Sequence, residues 1–147
     1  MKAFKVMTSN LVAAREGTTA REIATRLLIG NFNGLPVINS SIKVIGIVTA
    51  VDILRAIRQG KNLDSIRAVD IMTKNPVVVK QDAEIQDVVD IILQKHIILV
   101  PVINDQQRLV GVVSRLDILR QNLSEKFVTI GRTWPWASVI NYKCWLI

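Results

Sequence analysis

The sequence predicts an α/β protein made of two β-α-β-β-α repeats that fold against one another, and three observations carry that expectation. The chain repeats itself: Val6-Met7-Thr8 returns as Ile71-Met72-Thr73, Leu35-Pro36-Val37-Ile38-Asn39 as Val100-Pro101-Val102-Ile103-Asn104, and Gly46-Ile47-Val48-Thr49 as Gly111-Val112-Val113-Ser114. The offset is 65 residues at every match, and Val6 to Arg55 lies on Ile71 to Arg120 without a gap. A fixed internal period defines an architecture before any propensity does. The apolar spacing also changes from extended to helical and back in the same order in both copies. Finally, a unit of about 55 residues buries too little of its own surface to stand alone, so the two copies are expected to share their stability.

Each copy opens on an extended apolar stretch, Asn10-Leu11-Val12 in the first and Val77-Val78-Val79 in the second. A helix follows. Ile23, Ala24, Leu27 and Leu28, like Ile85, Val88, Val89, Ile92 and Leu93, recur at the three- and four-residue spacing of one helical face. Thr19-Ala20-Arg21-Glu22 has the form of a capping box, in which hydroxyl and carboxylate satisfy the first free N–H groups of the helix. Two short strands come next, Pro36 to Ile38 with Val44 to Val48 and Pro101 to Ile103 with Leu109 to Val113, across the turn-prone Asn39-Ser40-Ser41 and Asn104-Asp105-Gln106-Gln107. A last helix with Ile53, Leu54 and Ile57, or Ile118 and Leu119, as its apolar positions closes the unit. Gly60 to Ala68, polar and glycine-containing, reads as the connector. The expected organisation is repeat 1 over 1–59, a linker over 60–68, repeat 2 over 69–123 and a tail over 124–147.

The totals exclude several classes. Apolar runs such as Ile97-Ile98-Leu99-Val100 fall far short of the roughly 18–20 residues of a membrane-spanning helix, so no membrane insertion is expected. The start, Met1-Lys2-Ala3-Phe4-Lys5, lacks the form of a signal peptide, and a cytoplasmic location is expected. One cysteine and one histidine make neither a disulfide nor a metal cluster, so no metal is expected. The net charge of +7 calls for anionic partners: nucleotides, nucleic acid or an acidic protein surface.

The unit order, the Met-Thr start, the Leu/Val-Pro-Val segment and the ending Gly-Ile/Val-Val-Thr/Ser-x-x-Asp-Ile-Leu together resemble the CBS domain, named after cystathionine beta-synthase, over about residues 5–121. That resemblance implies two CBS repeats related by pseudo-twofold symmetry, forming one Bateman module, and modules that commonly pair into a disc-like homodimer. It also implies a regulatory, non-catalytic role: binding an adenosyl ligand such as AMP, ADP, ATP or S-adenosylmethionine as an effector, with no required cofactor, and passing a conformational change to an unidentified effector protein.

Two segments sit where a strand hands over to a helix, Thr49-Ala50-Val51-Asp52 and Ser114-Arg115-Leu116-Asp117. A hydroxyl followed three residues later by a carboxylate caps a helix, and capping accounts for both segments without a ligand. The same geometry offers free backbone N–H groups to a phosphate and a carboxylate to ribose hydroxyls. In the CBS domains that this chain resembles, the matching Thr or Ser and the Asp bind phosphate and ribose, which makes Thr49, Asp52, Ser114 and Asp117 the candidate ligand residues. Arg115 stands where the first copy has Ala50. A guanidinium there is either a solvated surface group or a bidentate phosphate contact, and the second reading predicts tighter binding in the second copy. The resemblance places the base against Asn10, Leu11 and Val12 with Leu35 and Pro36, and against Asn75, Pro76 and Val77 with Val100 and Pro101; all of these also read as ordinary core or turn residues.

His96 closes a helix and is expected to cap or pack its end, since no nucleophile, base or paired acid accompanies it and no catalytic residue is expected. The tail holds all three tryptophans (Trp134, Trp136, Trp145), Tyr142 and Cys144, read as a packed-back end, a chain remnant or an aromatic anchor for a partner. Two rival functions remain at this stage. One is a nucleic-acid-binding protein, although the basic residues are scattered and no stacking aromatics lie within the repeats. The other is a structural dimerisation module with empty clefts.

Overall fold

The computed structural model describes residues 1–130, with side-chain surroundings through residue 123. Four of the five α-helices among the described residues form where the capping signals or the apolar period place them, and the short one at Ala68–Ile71, which begins in the expected linker, carries no such signal. Helix α1 spans Ala20–Gly30, with the Thr19 hydroxyl accepting from the Glu22 N–H (3.1 Å) and the Glu22 carboxylate from the Thr19 N–H (3.0 Å). Helices α2 (Ala50–Arg58), α3 (Ala68–Ile71), α4 (Ile85–Lys95) and α5 (Arg115–Ile130) follow along the chain.

One sheet carries β1 (Ala14–Arg15), β2 (Gly34–Ile38), β3 (Val44–Thr49) and β4 (Thr73–Lys74) in that order, with β1 parallel to β2 and the remaining pairs antiparallel. The other carries β5 (Val79–Lys80), β6 (Leu99–Ile103) and β7 (Leu109–Ser114), again a parallel pair followed by an antiparallel one. The 65-residue offset reaches into fine detail. Register shifts fall at Val37/Ile38 and Val102/Ile103, and left-handed backbone at Asn31 and His96 and at Ile42 and Gln107.

The expected first strands are displaced. Residues 10–12 take no strand conformation, and the second copy's strand begins at Val79, at the end of the expected Val77-Val78-Val79. What decides the position is the partner. Ala14 and Val79 stand opposite Val37 and Val102, at equivalent points of β2 and β6, and both are buried. The last helix of each copy also differs from its expected packing: Ile53 and Ala56 enter the core, whereas Leu54 and Ile57 face solvent.

The copies exchange their leading segments. Met72-Thr73, which opens the second copy in sequence, lies on β3 of the first, and Thr8 of the first copy bridges Val112 on β7 of the second. This explains the glycines of the two Gly-Ile/Val-Val strands. A Cβ at Gly46 would collide with Met72 Sδ, and one at Gly111 with Met7 Sδ, so each methionine lies flat on the bare backbone of the other copy. The amino terminus is also held to the second copy, because Glu84 binds both Lys2 and the Met1 ammonium. The Lys2 hydrogen bond in particular draws the Glu84 carboxyl below its usual pKa.

Two apolar clusters result. One gathers Ile23, Leu27, Leu35, Val37, Val48 and Ile53, the other Val88, Ile92, Val100, Val102 and Val113 with Ala3 brought over from the amino terminus.

Candidate functional site

At the start of α2 the Thr49 N–H and hydroxyl donate to Asp52 Oδ2 (2.7 and 2.8 Å), and Arg55 donates to Oδ1 (3.1 Å). At the start of α5 the Ser114 N–H and hydroxyl donate to Asp117 Oδ2 (2.8 and 2.6 Å), and Arg120 donates to Oδ1 (3.0 Å). The capping reading therefore holds at both sites. Asp117 has one partner more: the Thr8 hydroxyl donates to its Oδ1 (3.2 Å) from 109 residues away. Each carboxylate is 8% exposed, and the charge-assisted bonds offset its removal from water.

A cavity of about 550 Å³ opens between the copies. Its first wall is the start of α5, with Ser114, Arg115, Asp117 and Arg120 beside Thr8. The facing wall is Asn31-Phe32-Asn33-Gly34, where α1 of the other copy ends, and Ile98, Leu99 and Val112 supply apolar surface between them. The arrangement suits a ligand of mixed character: the positive end of a helix for an anion, although the Arg115 and Asp117 N–H groups are already bonded to the Ile98 carbonyl and the Ser114 hydroxyl, a carboxylate for hydroxyls, and aliphatic side chains for a flat apolar group. Arg115 donates through Nε to the Ile97 carbonyl (2.9 Å) and through Nη2 to that of His96 (3.3 Å). His96 itself is the left-handed C-cap of α4.

The candidate residues thus separate. Ser114, Arg115 and Asp117 share the cavity between the copies. Asp52 lines a smaller hollow of about 190 Å³ beside Arg55, Lys61 and Asp70, of which Thr49 is not part. Leu35, Pro36, Val100 and Pro101 are core residues within β2 and β6, and the cavity is lined instead by their neighbours Gly34, Ile98 and Leu99. Asn10, Leu11, Val12, Asn75, Pro76 and Val77 line neither space, and Asn75 takes a left-handed turn (φ 49°). Thr8 and the Asn31–Gly34 wall are the additions. Thr8 belongs to the repeated Met-Thr motif, but its partner is visible only once the segments exchange. Among the described residues no group of His, Cys, Asp and Glu is placed to hold a metal ion, and no helix is long and apolar enough to cross a membrane. Trp134, Trp136, Tyr142, Cys144 and Trp145 lie outside the described residues.

Comparison with known proteins agrees with this architecture. Residues 3–59 and 68–124 each match the CBS domain. The chain belongs to the CBS domain family, as a tandem pair. Among solved structures it is similar to the CBS domain pair of protein MJ0100 in complex with 5-methylthioadenosine and S-adenosyl-L-methionine (28% identity, TM-score 0.77, 85% of this chain and 98% of that one). It is likewise similar to the CBS domain protein PAE2072 from Pyrobaculum aerophilum complexed with AMP (26% identity, TM-score 0.76, 85% and 97%). Among curated proteins it matches the uncharacterized protein MK0525 of Methanopyrus kandleri (30% identity, 79% of this chain, 60% of that protein). It also matches inosine-5'-monophosphate dehydrogenase of Methanocaldococcus jannaschii (28% identity, 82% of this chain). The chain spans only 23% of that enzyme's length.

Proposed function

We propose that the chain is a regulatory module that binds an adenosyl compound, one of AMP, ADP, ATP or S-adenosylmethionine, in the cavity between its repeats, and that it works without catalysis. The observation that carries this reading is the near-buried Asp117 carboxylate beside the start of α5, in a cleft walled by both copies. In this reading Asp117 accepts from the ribose hydroxyls, Ser114 and the positive end of the α5 dipole receive the charged end, and the aliphatic surface takes the base. The adenosyl ligands of the MJ0100 pair and of PAE2072 support it. A ligand touching both walls favours whichever relative placement of the copies fits it, and a partner reads that shift in population. We further propose that the module acts as a homodimer and signals to an effector protein.

Calorimetric titration with the four compounds tests the central claim. At least one binds with a millimolar or better Kd, and Asp117→Ala abolishes or sharply weakens that binding. A flat titration with all four, or an unchanged affinity in Asp117→Ala, overturns it.

A further inference from the structure

We infer that Arg115 makes this cleft selective for phosphorylated adenosyl ligands over S-adenosylmethionine and methylthioadenosine, an inference that rests on the adenosyl reading just given. Three arginines, Arg55, Arg115 and Arg120, stand near the starts of α2 and α5, and they are not equivalent. Arg55 and Arg120 each bind a buried carboxylate, Asp52 and Asp117, so much of their charge is met. Arg115 is held by neutral groups instead: its side chain binds the carbonyls of Ile97 and His96, and its backbone N–H that of Ile98 (3.2 Å). Carbonyls at the end of α4 fix the guanidinium in place through their partial negative charge and leave most of its own charge uncancelled.

A guanidinium carries five N–H donors, and the two carbonyl bonds use two of them. The rest are available to a ligand oxygen, on a side chain whose freedom is already restricted before the ligand arrives. The cavity walls carry two guanidiniums and a single carboxylate, while the facing wall of Asn31, Phe32, Asn33 and Gly34 carries no charge. The start of α5 adds the positive end of a helix dipole on the same side. A phosphate monoester meets this excess of positive charge favourably. S-Adenosylmethionine offers one carboxylate against a sulfonium and an ammonium, so its net positive charge makes it gain less than a phosphate dianion, and a neutral thioether gains nothing from it. The equivalent position of the first copy is Ala50, so the discrimination belongs to the second copy alone.

The experiment compares AMP, adenosine, methylthioadenosine and S-adenosylmethionine on the unmodified protein, Arg115→Gln and Arg115→Lys. The glutamine amide still donates to a carbonyl without carrying charge, and lysine keeps the charge without the fork. The unmodified protein binds AMP about tenfold or more tightly than any of the other three, the size of one charge-assisted hydrogen bond. Arg115→Gln brings AMP down to the adenosine level with adenosine unchanged, an internal check that the site still folds, and Arg115→Lys retains part of the preference. Equal binding of AMP, adenosine and S-adenosylmethionine, all lost in Asp117→Ala, overturns the selectivity and leaves the adenosyl site standing. An AMP preference undiminished in Arg115→Gln also overturns it, and binding of none of the four removes both claims.

Discussion

At the residue scale, one carboxylate carries two assignments. Asp117 caps α5, and the same residue lines the cleft. Its capping role was legible in the sequence, because a capping box is local: the hydroxyl and the acid stand three residues apart, and helical geometry brings them together wherever that helix starts. Its bond to Thr8 was not, since nothing at position 8 signals a partner 109 residues on. Arg115 shows the same limit. The sequence places it beside the helix start, but its carbonyl partners depend on how the turn at His96 to Ile98 folds back, which no local pattern specifies. The Thr8 bond gives a stability difference between equivalent positions. Thr8→Val removes a partly buried hydrogen bond to a charged group and costs about 1–3 kcal/mol. Thr73, at the same position of the other copy, is exposed, and Thr73→Val changes stability by less than about 0.5 kcal/mol. Urea unfolding of both variants checks the difference, and equal losses would contradict the role given to Thr8.

At the element scale, the helices were more legible than the short strands. Helices α1 and α4 repeat an apolar face over three turns, a signal longer than any chance run. Strands β1 and β5 hold two residues each, so their position follows from where the neighbouring strand offers partners rather than from their own side chains. Helix α3, four residues long, gave no periodic signal at all. The exchange of leading segments escaped the sequence for a different reason. The Met-Thr motif repeats perfectly, but a repeat cannot say on which copy each segment lies. Packing of Met7 on Gly111 makes the exchange measurable. Gly111→Ala forces a methyl group into the thioether and costs about 1–3 kcal/mol by overpacking. Shortening the methionine relieves the clash, so Met7→Ala with Gly111→Ala is less destabilised than the sum of the single variants. A double-mutant cycle by urea unfolding measures that coupling, and strict additivity would place Met7 elsewhere.

At the scale of the whole molecule, the repeat also patterns the surface. Val51 and Leu54 on α2 are 52% and 62% exposed, and their equivalents Leu116 and Leu119 on α5 are both 56% exposed. Leu28 and Leu93, one on each of α1 and α4, stand out in the same way. Single exposed leucines are ordinary, but apolar positions kept in register by both copies form a repeated face with no cover among the described residues. The helical spacing that located these helices did not distinguish their inner from their outer apolar residues, because both rows are hydrophobic. The proposed homodimer gives the outer row a partner, since a self-complementary face is what a twofold assembly requires. Helix α5 then links the two levels of organisation, with its first residues in the cleft and Leu119 on the face offered to the second subunit. Leu54→Glu combined with Leu119→Glu places charges at positions already open to water, so the fold of the single chain loses little. Sedimentation equilibrium of the unmodified chain gives twice its 16.4 kDa, and the double variant gives the single-chain mass with its circular dichroism unchanged. An unmodified chain that sediments at the single-chain mass over the whole concentration range overturns the dimer, and a variant that remains dimeric moves the interface off these helices.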